Sequence, residues 1–234
     1  MADPELDVLV SGKTSFKIEV PYQLIESGPK ADSKPMIVYL HGFGDNADTF
    51  RKDCEKLLDI PAYHLFIQAP YPLYDRSRKK EVSEWGRAWY LYDGNQSQFT
   101  RSLELASEFI QEMIDKLLNV IQVNRLCVFG YSMGGYLAGY FALTRWKHVN
   151  ELIVIGARIK TEVLNDSWEN IGHMNVLALH GSGDEKVKPA PQQSEIVKMS
   201  KNGIHAEMKT VDENHSFTQG YISEAAAWLK KTGY

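Results

Sequence analysis

The 234-residue sequence predicts an α/β fold in which a mainly parallel central sheet carries helices on both faces. Three observations predict it. Short apolar runs at 36–40, 63–68, 125–129, 152–155 and 175–179 have strand length and read as strands buried on both sides. Amphipathic stretches at 47–58, 99–120, 133–146, 191–202 and 216–231 are long enough for helices and fall between or after these runs. Within 103–118, Leu103, Ala106, Ile110, Met113, Ile114 and Leu117 recur three or four positions apart, which makes one apolar helical stripe. Two further strands are expected. One lies at 16–25, where Phe16, Ile18 and Val20 alternate as in a strand at or near a sheet edge, and the other at 205–211.

This length suits a single domain spanning 1–234. The 26 Lys and Arg against 30 Asp and Glu give a net charge of −4, the wrong sign for a general binder of phosphate backbones, so no nucleic-acid partner is expected. No apolar run approaches the roughly 20 residues that span a bilayer. The acidic start lacks a basic-then-apolar leader, and a cytoplasmic protein without stable membrane insertion is expected. Cys54 sits in a polar helical stretch and Cys127 in an apolar run, with no CxxC or Cys/His spacing, so neither a disulfide nor a metal site is expected. Monomer and homodimer both stay open.

One stretch breaks the alternation. Residues 70–98 mix prolines and charges with Tyr71, Tyr74, Trp85, Trp89, Tyr90 and Tyr92. So long a connection in a compact domain is typically a lid or a binding loop. It leaves an expected strand at its C-terminal end, where open α/β sheets bind ligands. Trp85, Trp89 and Tyr90 are therefore expected to bind substrate, the excursion bordering the site as a lid or groove wall.

The chemistry concentrates at Gly130-Tyr131-Ser132-Met133-Gly134, a G-x-S-x-G pattern that follows an apolar strand and opens a helix. A nucleophile exposed on so sharp a turn needs neighbours two residues away that lack side chains. Ser132 then requires a base, and the base an orienting acid. After the strand at 175–179 comes His180-Gly181-Ser182-Gly183-Asp184, and after 205–211 comes Asp212-Glu213-Asn214-His215. Serine, acid, histidine, each after a strand, is the chain order of the α/β-hydrolase fold. Ser132 is the expected nucleophile, Asp184 the acid and His215 the base. Glu185 competes with Asp184 but lacks its glycine turn, while Asp166 and Asp212 read as surface residues. His41 and His180 read as hydrogen-bonding residues of turns. The amide of Met133, at the new helix N-terminus, and that of Phe43, between Gly42 and Gly44, are the expected oxyanion donors.

With these residues in place, the chain resembles the phospholipase/carboxylesterase group of α/β-hydrolases, which includes the acyl-protein thioesterases. The resemblance runs from about residue 35 onward. It is carried by the HGFGD loop at 40–45, Ala88-Trp89-Tyr90, the elbow at 130–135, His180 to Asp184 with Val187 and Pro189, and His215-Ser216. It implies a small, cofactor-free esterase or thioesterase with a shallow acyl groove, acting on a small-molecule ester or acyl substrate. By position it supports the same triad and oxyanion donors. Met133 stands where the thioesterases usually carry Gln, Ser182 where they often carry Asp, and Asn214 where a Gly is usual. With the charged insert at 76–84, these departures favour a carboxylesterase over a protein deacylase. A serine peptidase, a non-catalytic small-molecule receptor and a lipase working at a membrane surface are the rival readings. The last would need exposed apolar area around the groove.

Overall fold

The computed structural model describes residues 10–12, 14 and 17–234. Its main sheet has seven strands: β1 (Tyr22–Glu26), β2 (Lys34–Leu40), β3 (Tyr63–Ile67), β6 (Val123–Tyr131), β7 (Glu151–Ile155), β8 (Asn175–Gly181) and β9 (His205–Val211). Their order is β1-β3-β2-β6-β7-β8-β9, parallel throughout except for β1. Five helices cover it: α1 (Ala47–Asp53), α2 (Gln96–Leu118), α3 (Met133–Thr144), α4 (Pro189–Lys201) and α5 (Gln219–Lys231).

The two faces are written into the strands. Met36, Val38 and Leu40 of β2, Val128 of β6 and Val154 of β7 enter one core, which α2, α3 and α4 close. Ile37, Tyr39, Phe129 and Ile155 enter the other, which α1 and α5 close. Period-two alternation between two apolar faces makes each central strand a continuous apolar run. Helix α3 runs along the middle of the sheet and buries nine of its twelve residues. Cys54 and Cys127 are free thiols inside the second core.

Two expectations change. The first strand begins at Tyr22, paired with Ile67 at the end of β3, so residues before it have no neighbouring strand and the alternation at Ile18 and Val20 forms none. Phe16 lies outside the described residues. In the 70–98 excursion, β4 (Tyr71–Pro72) and β5 (Arg87–Ala88) pair as a small antiparallel ribbon, with a single helical turn at Val82–Glu84 in the loop between them. Among the described residues no helix is long and apolar enough to cross a membrane.

Candidate active site

Parallel strands that all end on one edge deliver the functional loops together. Ser132 follows β6, Asp184 follows β8, His215 follows β9 and Phe43 follows β2. Ser132 sits at φ 51° and ψ −115°, a strained conformation for a residue with a side chain. Its amide donates to the Ile155 carbonyl at 2.8 Å, which pins the turn to the next strand. The flanking glycines are close-approach positions: a Cβ at Gly130 would lie 2.2 Å from the Gly134 carbonyl oxygen, and one at Gly134 would lie 2.1 Å from that of Leu40. Only bare backbone lets α3 start this near the end of β2.

The structure brings Ser132, His215 and Asp184 into one hydrogen-bonded line. Ser132 Oγ lies 2.8 Å from His215 Nε2, and His215 Nδ1 lies 2.7 Å from Asp184 Oδ2. A carboxylate can only accept, so the histidine proton sits on Nδ1 and Nε2 faces the serine hydroxyl as an acceptor. Asp184 is 3% exposed. Its other oxygen, Oδ1, accepts from the Lys186 and Val187 amides at 3.0 and 2.9 Å. Burial pushes the Asp184 carboxyl up, but the His215 hydrogen bond, the Val187 amide and the neighbouring histidines outweigh it and leave it below the usual carboxylate range. Glu185 is exposed, Asp212 is exposed and receives the Ser182 hydroxyl at 3.3 Å, and Asp166 is exposed on a left-handed turn.

Three further groups support the site, and of these the sequence marks only His180, as a hydrogen-bonding residue of its turn. The Tyr131 hydroxyl donates to the His215 carbonyl, and Tyr221 donates to the Asn214 carbonyl at 3.1 Å, so a half-buried and a buried phenol hold the histidine loop. Burial, with Asp184 and Asp45 nearby, pushes Tyr131 up to about 12, so it stays a donor. His180 is fully buried. Its Nε2 donates to the Val187 carbonyl at 2.8 Å, bracing the segment whose amide holds Asp184. His41 also turns inward, with Nδ1 donating to the Gly42 carbonyl and Nε2 accepting from the Ala69 amide. Burial lowers it to about 4, so it is neutral.

Beside Ser132 opens a cavity of about 570 Å³. Tyr71, Pro72 and Leu73 form one wall, Ala88 and Tyr90 to Tyr92 another, and Phe43, Met133 and Tyr136 the rest. Neither the Phe43 nor the Met133 amide donates to a protein acceptor among the described residues. Tyr90 lies on the cavity, but Trp89 and Trp85 do not, contrary to expectation. Trp89 is fully buried; its indole donates to the His41 carbonyl at 2.8 Å and its amide to Met133 Sδ at 3.4 Å. The chain bends at Trp89 and Tyr90 after β5, which turns the indole into the core while Tyr90, Leu91 and Tyr92 line the cavity. Trp85 packs edge-on against Tyr74 and donates to the Lys80 carbonyl, which orders the hairpin end instead. Among the described residues no group of three or more His, Cys, Asp or Glu could hold a metal ion.

Solved structures of similar architecture include two named as esterases and one named as an acyl-protein thioesterase. The chain is 18% identical to esterase PE8, with a TM-score of 0.70 over 92% of this chain and 99% of that one. It is 16% identical to a Bacillus cereus carboxylesterase, with a TM-score of 0.68 over 91% and 94%. It is 19% identical to Zea mays acyl-protein thioesterase 2, with a TM-score of 0.65 over 90% and 98%. At such identities the likeness establishes the α/β-hydrolase fold. No curated protein matches the chain in sequence. The profile of one family does, from residue 21 to residue 233, and the chain therefore belongs to the phospholipase/carboxylesterase family of α/β-hydrolases and is a hydrolase.

Proposed function

We propose that this chain is a serine carboxylesterase that works through an acyl-enzyme on Ser132, with thioesters as its second substrate class. The observation that carries the reading is the relay from Ser132 Oγ through His215 to Asp184, with contacts of 2.8 and 2.7 Å, ending on a strained nucleophile turn. His215 Nε2 takes the serine proton as Oγ attacks the carbonyl carbon. Asp184 holds the tautomer and stabilises the imidazolium that forms. The unpartnered amides of Phe43 and Met133 receive the oxyanion, a contribution of roughly 3 kcal/mol per donor. As the carbon–oxygen bond breaks, His215 returns the proton to the leaving alcohol. Water then gives its proton to His215, attacks the acyl carbon and frees the acid, restoring the serine.

The cavity supports an acyl substrate. Its walls are mainly aliphatic and aromatic, and each methylene taken from water contributes about 0.8 kcal/mol. In this reading residues 1–234 act as one hydrolase domain, and the ribbon of the 70–98 excursion is the groove wall. Tyr90 contacts the acyl chain, while Trp89 and Trp85 stiffen the wall from behind.

Two measurements test the proposal together: labelling by a fluorophosphonate, and hydrolysis of p-nitrophenyl esters of increasing chain length. Ser132→Ala should abolish labelling and lower kcat by about a millionfold. A variant that keeps a tenth of the wild-type rate would move the nucleophile elsewhere.

A further inference from the structure

We infer that the free edge of β9 pairs antiparallel with β9 of a second copy of this chain, centred on Met208, and joins the two main sheets into one. Among the described residues β9 hydrogen-bonds to β8 alone, so it forms one edge of the sheet. The Val211 carbonyl accepts from the Ser182 amide at 2.9 Å and therefore faces β8. Main-chain groups alternate sides along a strand, which turns those of Ala206, Met208 and Thr210 toward the open edge. Ser200 marks that side: its hydroxyl donates to the Ala206 carbonyl at 3.1 Å, and the carbonyl oxygen keeps a second lone pair. Proteins blunt such edges with proline, with bulges or with charge. β9 has no proline and runs through seven residues in unbroken register with β8. Charge is the one guard left, and it cancels in a single register.

Those charges identify the occupant. Glu207 and Lys209 lie on the face that α5 covers, where Glu207 accepts from the Trp228 indole at 2.7 Å and Lys209 pairs with Glu224 at 2.8 Å. Their side chains are still 39% and 37% exposed. Pairing about Met208 sets Glu207 opposite Lys209 of the second copy, and Lys209 opposite its Glu207. The same register makes hydrogen-bonded pairs of Met208 with Met208 and of Ala206 with Thr210, so every outward amide and carbonyl from 206 to 210 finds a partner. Moving the centre to residue 207 or 209 keeps main-chain bonds but sets Glu against Glu or Lys against Lys, which is destabilising. The strand is thus complementary to itself, which a foreign strand need not be. The other edge, β1, has one charge, Glu26, already paired with Lys34 at 2.6 Å, and offers no such match. The pairing also covers a hollow of about 420 Å³ between β9 and α5, lined in part by His205, Trp228 and Lys231. Val211 of the second copy comes opposite His205, beside that hollow. Because the paired strands run in opposite directions, the two catalytic edges point away from each other and both grooves stay open. The inference does not rest on the esterase reading.

The test is analytical ultracentrifugation of the full chain across the micromolar range, where the wild type should sediment with twice the mass of one copy. Glu207→Lys alone and Lys209→Glu alone each turn both cross-strand pairs into like charges. Each should weaken association by roughly tenfold to thirtyfold, with circular dichroism showing that the variant is folded. Mixed in equal amounts, the two variants should recover the dimer, because one brings Lys at both positions and the other Glu. Two cysteine variants read the register and decide the matter if a charge variant does not fold. Residue 208 would lie about 5.5 Å from its own copy between Cα atoms, within disulfide reach, so Met208→Cys should cross-link on mild oxidation. Residue 210 would lie roughly 13 Å from its own copy, four residues along the strand, so Thr210→Cys should not. A monomeric wild-type chain would overturn the inference and leave the edge to another protein's strand or to none. So would association unchanged in both charge variants, a mixture that stays dissociated, or cross-linking of Thr210→Cys in place of Met208→Cys.

Discussion

Replacing Trp89 by Phe separates a residue that binds substrate from one that holds the site up. The substitution keeps an aromatic ring in a fully buried space and removes the indole N–H that donates to the His41 carbonyl at 2.8 Å. That carbonyl immediately precedes Gly42 of the oxyanion loop and receives no other hydrogen bond among the described residues. A buried acceptor left unpaired costs roughly 1–3 kcal/mol, and the void beside a smaller ring adds about 1 kcal/mol. The expected loss is about 2–4 kcal/mol, or about 4–16 °C in Tm for a domain of this size. The loop that carries the Phe43 amide then moves, and a misplacement of about an ångström costs about a hundredfold. Because the indole does not line the cavity, kcat should fall by about tenfold to a hundredfold for every ester, whatever its chain length. Thermal unfolding and kinetics on p-nitrophenyl acetate through decanoate measure both effects. A rise in KM that grows with chain length, at unchanged Tm, would refute this account and put Trp89 in the acyl groove.

Asp184→Asn should lower kcat by about four orders of magnitude by removing the acceptor that fixes the His215 tautomer, whereas exposed Glu185→Gln should change it less than twofold; the reverse ranking in steady-state kinetics would reassign the acid. Gly134→Ala places a Cβ 2.1 Å from the Leu40 carbonyl oxygen, so it should unfold at least about 5 °C lower, and an unchanged Tm would mean that the elbow yields without strain. Burial raises the Asp45 carboxyl to about 6, so the folded chain holds this proton where the unfolded chain has lost it, and stability falls as pH rises from about 4 to about 6. Asp45→Asn should therefore stabilise by about 1–2 kcal/mol at pH 7, a two-unit shift reduced by the carboxyl's partial exposure, and by little at pH 4; urea denaturation showing equal gains at both would remove the titration from the account.

What could be read from the sequence follows from how local each constraint is. The elbow and the two glycine-containing loops carry their geometry in adjacent residues: a Cβ at Gly130, Gly134 or Gly181 would lie 2.1 to 2.4 Å from a backbone oxygen, and Gly44 sits at φ 80°, so glycine is left as the signature. The parallel strands were legible for a similar reason: burial on both faces makes each a continuous apolar run. The excursion offered no such signal. Its ribbon strands are two residues long, shorter than any period that a pattern could show, and Pro72 stands inside one of them. Choosing its aromatics by size therefore mixed wall residues with buttresses. Ala88 and Tyr90 to Tyr92 line the cavity while Trp89 turns behind it at a bend, so no period in the residues separates Trp89 from its neighbours. Tyr131 and Tyr221 carry no mark in the sequence, and His180 reads as a hydrogen-bonding residue of its turn without its partner being named. Their partners are backbone carbonyls at 215, 214 and 187, and a carbonyl exists at every position, so no pattern of residue types records which one a buried hydroxyl or imidazole will find.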